Sequence, residues 1–134
     1  NLIMILIVIT VFIISAFQID FYNPAKDNDS LSYQYDGFIQ TPKGKKLDII
    51  LELQLLNDSA LIGSYSYLHQ AGILEIKGGL LSDNTFSLVE RDSAEKITGY
   101  FNGKFTSDKS KAIGDWTSPE KEEKLNFVLT LSER

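Results

Sequence analysis

Residues 47–55 read LDIILELQL, and the alternation in this stretch decides the fold class. Its apolar side chains share one face when the chain is extended: Leu47, Ile49, Leu51, Leu53 and Leu55. The other face carries Asp48, Glu52 and Gln54. Because side chains of a strand point alternately to its two faces, this period of two predicts a strand with one buried face. The last apolar run, 125–131, repeats the pattern.

Turn residues divide the remaining chain after residue 30 into further short alternating runs. These predict strands at 31–40, 61–67, 73–80, 85–91, 97–105 and 112–117. The connections are a few residues long, which favours antiparallel neighbours over crossovers. We therefore predict an all-β, eight-stranded antiparallel up-and-down barrel. Such a barrel is just wide enough inside for side chains or one small ligand.

A glycine followed two residues later by an aromatic residue recurs along these strands. The copies are Gly63-x-Tyr65, Gly99-x-Phe101, Gly103-x-Phe105 and Gly114-x-Trp116. Residues i and i+2 share a face, so each copy places bare backbone beside a large ring. Glycine inside a strand usually marks a bend or the close approach of another group. The repeats therefore indicate a strongly curved sheet, as in a small closed barrel.

The first residues differ from the rest of the chain. From Leu2 to Phe17 there is no charge, and only Thr10 and Ser15 are polar. We predict a signal peptide or membrane anchor helix at 1–17, a linker at 18–30 and the barrel domain at 31–134. The other interpretation of the apolar segment is a buried core helix. An export segment predicts a location in the cell envelope (periplasmic, membrane-anchored or secreted), with membrane contact only through that segment.

Composition excludes several classes of function. The chain has no cysteine, so disulfides, thiolate chemistry and cysteine zinc sites are absent. A net charge of −5 without a basic stripe argues against nucleic acid as a partner. There is no nucleotide-binding loop, nucleophile motif or calcium-loop spacing. We therefore predict no enzyme activity, no cofactor and no metal, and an unknown protein or small molecule as the partner.

The segment 60–65, ALIGSY, is similar to the third strand of the avidin and streptavidin family, and the later Gly-x-aromatic strands are similar to that family's later strands. The layout as a whole resembles the calycin-type barrels. The order Gly-x-Tyr, Leu-x-Gly, Leu-x-Glu, Gly-x-Phe, Gly-x-Trp also resembles uncharacterised exported bacterial barrel domains. The resemblance spans about 33–132 and implies a small barrel.

Biotin binding is not expected from this resemblance. That family lines its pocket with several tryptophans and a set of polar groups around the ureido ring, whereas this chain has one tryptophan, Trp116. Only Tyr65 falls on a position that matches a ligand contact of the family, through its Gly-x-Tyr motif.

Glu90 is the most informative polar residue. Alternation along 85–91 places Phe86, Leu88 and Glu90 on the inward face, where a carboxylate is costly unless it is paired or hydrated. One interpretation puts Glu90 at the barrel rim, in contact with water and paired with Lys96 or Lys104. The other makes it a polar group at the mouth of a ligand site.

Tyrosines form a second candidate group: Tyr33, Tyr35, Tyr65 and Tyr67. They would make one tyrosine-rich strand pair if the first and third strands approach each other. Such rings either line a pocket or pack in the core and rim with the hydroxyl reaching water. His69 lies in a turn with no partner pattern and is predicted to be a solvated loop residue.

The predicted ligand-binding residues are Tyr65, Tyr67, Glu90 and Trp116. The predicted function is a non-catalytic exported binding or interaction module. The alternative is a lipocalin-like carrier of a small apolar ligand inside the barrel.

Overall fold

A computed structural model describes residues 30–120 and 122–132, and there the chain forms one closed antiparallel barrel. The strands are β1 (Ser30–Gln40), β2 (Lys46–Leu56), β3 (Ala60–Tyr67), β4 (Leu74–Leu80), β5 (Thr85–Arg91), β6 (Ile97–Phe105), β7 (Lys111–Thr117) and β8 (Lys124–Leu131). Each strand pairs with the next in sequence, and β8 closes on β1. The predicted eight-stranded up-and-down barrel is confirmed.

The strand ends lie within one residue of the predicted ends. In β2 the alternation is exact from position 48 to 55, where Ile49, Leu51, Leu53 and Leu55 are buried and the residues between them are exposed. The residues in the turns explain why the strands end abruptly. Between β2 and β3, Asn57 and Asp58 adopt φ of 51° and 62°, the left-handed conformation that a tight hairpin needs and that asparagine and aspartate tolerate.

The predicted signal or anchor helix lies outside the described residues, as does the predicted linker up to residue 29. Within the part of the chain that the structure describes, no helix is long and apolar enough to cross a membrane.

Aromatic rings fill the middle of the barrel. Phe101 contacts Phe127 with ring centroids 5.3 Å apart, and Phe86 contacts Phe105 at 4.4 Å. Phe101 and Phe127 are almost fully buried, together with aliphatic side chains from neighbouring strands. Offset and edge-to-face ring pairs of this kind add to the stabilisation that comes from burial. The interior is therefore a packed core along most of its length.

Glycines allow adjacent strands to approach very closely. A Cβ at Gly63 would lie 2.0 Å from the carbonyl oxygen of Glu52 on β2, and a Cβ at Gly78 would lie 1.8 Å from that of Ser87 on β5. Only a residue without a side chain fits these positions. The interpretation of the Gly-x-aromatic copies as sites of close approach is supported at Gly63, and Gly78 on β4 plays the same part outside that motif.

The tyrosines do not form one cluster. Because β2 lies between β1 and β3, the first and third strands are not neighbours. Tyr35 stacks on Tyr33 at 6.2 Å and donates a hydrogen bond of 2.9 Å to the carbonyl oxygen of Lys109, in the loop between β6 and β7. Tyr65 instead contacts Tyr67, the last residue of β3, at 5.7 Å. The expected tyrosine-rich strand pair is therefore wrong, and the two pairs serve opposite ends of the barrel.

Candidate functional site

Glu90 lies near the end of β5 with its side chain inside the barrel and only 2% exposed. Its Oε2 accepts hydrogen bonds from the Tyr65 hydroxyl and, at 3.0 Å, from the indole Nε1 of Trp116. Its Oε1 accepts a hydrogen bond of 2.8 Å from the Thr98 hydroxyl. The predicted inward orientation of Glu90 is confirmed. The strands β1, β3, β5 and β7 all finish at this end of the barrel, which we call the Glu90 end.

The interpretation of Glu90 as a hydrated rim residue paired with lysine is wrong. Lys96 instead forms an exposed ion pair with Glu120, with Nζ and Oε1 3.6 Å apart. Lys104 is exposed on the outer face of β6. Uncharged donors from three other strands satisfy the carboxylate, and this is why the apolar interior tolerates it.

Thr98 reaches Glu90 because the pairing of β5 and β6 contains a β-bulge. Glu90 pairs with Gly99 and Arg91 pairs with Ile97, which leaves Thr98 as an extra residue. A bulge of this kind changes the direction of a side chain and breaks the simple alternation. Strict alternation through Gly99 and Phe101 would have placed Thr98 on the outer face, so sequence reasoning missed it.

Gly99 makes room for the tryptophan of the site. A Cβ at Gly99 would lie 2.3 Å from Nε1 of Trp116 and 2.5 Å from its Cε2. Because Gly99 lacks that atom, the indole can lie close to β6, and its N–H reaches Glu90. The glycine of the motif Gly99-x-Phe101 therefore contributes to the site by leaving space beside β6 for the side chain of Trp116 on β7.

Around Glu90, inward-facing side chains at the same end are only partly buried. They are Tyr67, Leu74, Trp116 and Leu125. The Tyr67 ring also meets the Tyr65 ring edge to face. The structure thus brings together all four residues predicted for the site, Tyr65, Tyr67, Glu90 and Trp116. Their role in ligand binding stays a prediction.

A small cleft of about 140 Å³ opens beside Thr98, between the β5–β6 and β7–β8 connections. Its walls are Lys96, Ile97, Thr98, Ser118, Pro119 and Glu120. Larger clefts of about 360, 250 and 580 Å³ lie on the outer face of β4 and β5, along β1 to β3, and at the opposite end of the barrel. The small cleft is the one whose wall includes Thr98, the residue that donates a hydrogen bond to Glu90.

The tyrosine hydroxyls at this end remain protonated over a wide range of pH. Burial raises the pKa of Tyr65 well above its ordinary value, and the negative charge of Glu90 raises it further. Burial also raises the pKa of Tyr67. Both hydroxyls therefore stay protonated at neutral pH, and that of Tyr65 donates to Glu90.

We expect alkaline titration to report this burial. The pKa of Tyr35, Tyr65 and Tyr67 is raised above 10.0 in the folded protein, so the folded state keeps protons that the unfolded state releases near that pH. The stabilisation is present below pH 10 and is lost as the pH rises further. Tyrosinate absorbance and circular dichroism, measured together, should show these three ionising only as the barrel unfolds.

Tyr65→Phe is the control for that titration, since it should reduce the late absorbance change by one tyrosine. Complete ionisation of every tyrosine with the circular dichroism unchanged would contradict the expected burial.

His69 is exposed in the loop between β3 and β4, as predicted. Comparison of the chain with protein-family models, with curated proteins and with solved structures finds no match.

Proposed function

We propose that this protein is a non-catalytic binding module of the cell envelope and that it takes its ligand or partner at the Glu90 end. The observation that carries the proposal is the carboxylate of Glu90, which lies 2% exposed inside a ring of partly exposed apolar side chains. Burying the carboxylate carries a desolvation cost, which its three hydrogen bonds offset. A few precisely placed polar groups among apolar and aromatic side chains are typical of a binding site.

The packing favours a ligand at the mouth over a ligand deep in the barrel. Just inside the site, the Phe101 ring meets the Tyr65 ring at 5.4 Å and the Phe127 ring at 5.3 Å. A lipocalin-like carrier would need an interior cavity of about 300 Å³ or more. These ring contacts occupy that region, so they support the binding module over the carrier.

The surroundings of Glu90 also support a non-catalytic role. General acid–base catalysis relies on groups that exchange protons near the operating pH. The titratable neighbours here are Tyr65 and Tyr67, and burial raises the pKa of both. The Tyr65 hydroxyl, which donates a hydrogen bond to Glu90, is suited to holding the carboxylate in place.

The envelope location is part of the same proposal and rests on the apolar sequence from Leu2 to Phe17. Fractionation of cells that express the full chain should place it in the membrane, periplasmic or secreted fraction. Recovery from the cytoplasm alone would contradict the location while leaving the binding site untouched.

Binding at the Glu90 end can be tested by NMR with a library of neutral, cationic and anionic fragments. We expect bound fragments to shift the indole N–H signal of Trp116 and the amide signals of Glu90 and Thr98. Glu90→Gln should weaken that binding about tenfold, because a charged hydrogen-bonding group is lost while the shape is kept.

The matched control is Glu52→Gln, which neutralises an exposed carboxylate on the outer face of β2. It should leave fragment binding unchanged. The proposal fails if no fragment shifts the Trp116 signal, or if Glu90→Gln binds every fragment as well as the wild type does.

A further inference from the structure

We infer that the ligand of the Glu90 end carries a protonated amine, or a similar organic cation with N–H groups, on a small apolar body. This inference rests on the proposed function, since it names the chemical class that the same site would bind. Three features of the site carry it: the uncompensated charge of Glu90, the acceptor capacity of its Oε1, and the rings around it.

Hydrogen bonds hold the Glu90 carboxylate in place, but they come from uncharged groups and do not neutralise its charge. Its donors are the hydroxyls of Tyr65 and Thr98 and the indole N–H of Trp116, and all three groups are uncharged. Among residues 30–120 and 122–132, no lysine or arginine forms an ion pair with it. A cation placed near this carboxylate would be attracted more strongly than in water, because the apolar surroundings screen charge poorly.

The hydrogen bonds are distributed unevenly over the two carboxylate oxygens. Oε2 accepts from both Tyr65 and Trp116, whereas Oε1 accepts from Thr98. A carboxylate offers about four acceptor positions, roughly two on each oxygen. Oε1 therefore has capacity for one further N–H donor.

Thr98 also forms part of the wall of the 140 Å³ cleft, so the cleft reaches the residue whose hydroxyl donates to Oε1. At a share of about 30 Å³ per water, this volume holds about five water molecules, or the head of a small amine. The exposed ion pair of Lys96 and Glu120 borders the cleft, so the two charges at its opening offset each other.

The rim suits the rest of such a ligand. Leu74 and Leu125 offer apolar contact, and the partly exposed rings of Tyr67 and Trp116 attract cations through their faces. An anionic ligand would be repelled by Glu90. A metal ion fits poorly, because the groups nearest the carboxylate donate hydrogen bonds, and the described residues contain no cluster of three metal-ligating side chains.

The inference can be tested with three probes of equal size: n-butylammonium, 1-butanol and butanoate. Each is titrated into the full chain while the fluorescence and the indole N–H signal of Trp116 are followed. Trp116 is the only tryptophan of the sequence, so both signals come from the site. We expect butylammonium to bind about tenfold more tightly than butanol, as a charge-assisted hydrogen bond would give, and butanoate to bind most weakly.

In Glu90→Gln the preference for butylammonium over butanol should disappear, and in Glu52→Gln it should persist. Equal binding of butanol and butylammonium, or tighter binding of butanoate, would overturn the ligand class and leave the Glu90 end as a binding site. A preference that survives Glu90→Gln would overturn the role of the carboxylate. If butylammonium has no effect on Trp116, the inference is wrong, and the fragment library decides the proposed function separately.

Discussion

Gly78→Ala is expected to lower the free energy of unfolding by about 3 kcal/mol, because the new methyl group has no space. Its Cβ would lie 1.8 Å from the carbonyl oxygen of Ser87 and 2.9 Å from the Cα of Leu88, both in the backbone of β5. Backbone atoms cannot turn aside as a flexible side chain can. The strands β4 and β5 must therefore separate locally and lose ladder hydrogen bonds. Urea unfolding of the full chain, followed by circular dichroism, measures the change.

Gly79→Ala is the matched control, one residue further along the same strand. There the nearest atom to a new Cβ is the carbonyl oxygen of Ser59 at 3.4 Å, and the backbone of Gly79 is not left-handed. We expect this variant to stay within about 1 kcal/mol of the wild type, with a gain possible from reduced entropy of the unfolded chain. Equal losses for the two variants would show that close strand approach is not what requires Gly78.

Glu90→Leu is expected to lower the free energy of unfolding by about 3 kcal/mol. The leucine removes the acceptor of the Tyr65 hydroxyl and of the Trp116 indole N–H, and both donors remain near the interior. A buried donor left without a partner costs about 1–3 kcal/mol. The apolar gain of leucine offsets part of that loss. Urea unfolding gives the size of the effect, and the indole N–H signal shows whether Trp116 has lost its partner.

Glu90→Gln separates hydrogen bonding from charge. The amide oxygen can accept from Tyr65 and Trp116, while the amide group can donate to the Thr98 hydroxyl, which rotates to accept. We expect the stability to remain within about 1 kcal/mol of the wild type. If Glu90→Leu proves as stable as Glu90→Gln, the hydrogen bonds around Glu90 do not hold this end of the barrel together.

Much of the fold followed from the sequence because strands obey a simple period. In β2 the apolar residues from Ile49 to Leu55 fall at every second position, and burial follows the same period. The same alternation along β5 predicted that the side chains of Phe86, Leu88 and Glu90 lie inside the barrel, and all three are buried. The short turns between the alternating apolar segments were enough to predict that consecutive strands pair with each other in antiparallel orientation. These features depend on residues close in sequence, so they can be read without knowing the tertiary structure.

The partners of Glu90 did not follow from the sequence. Alternation assigns a residue to a face of its strand. It does not say how far along the barrel axis the residue lies or which other strand its side chain faces. Thr98 reached the interior through a bulge that alternation cannot show. Lys96, one of the two lysines expected to pair with Glu90, instead pairs with Glu120, which lies in a different connection.

Alternation and turn residues thus specified eight strands, their inward faces and one carboxylate on an apolar face. Closure of β8 on β1, the bulge in β6 and the space left by Gly99 decided the rest. They bring the Tyr65, Thr98 and Trp116 donors, which come from different strands, onto one carboxylate. The physical reason is that a buried charge requires donors in three dimensions, and only the curvature and register of the closed sheet determine which side chains can reach it.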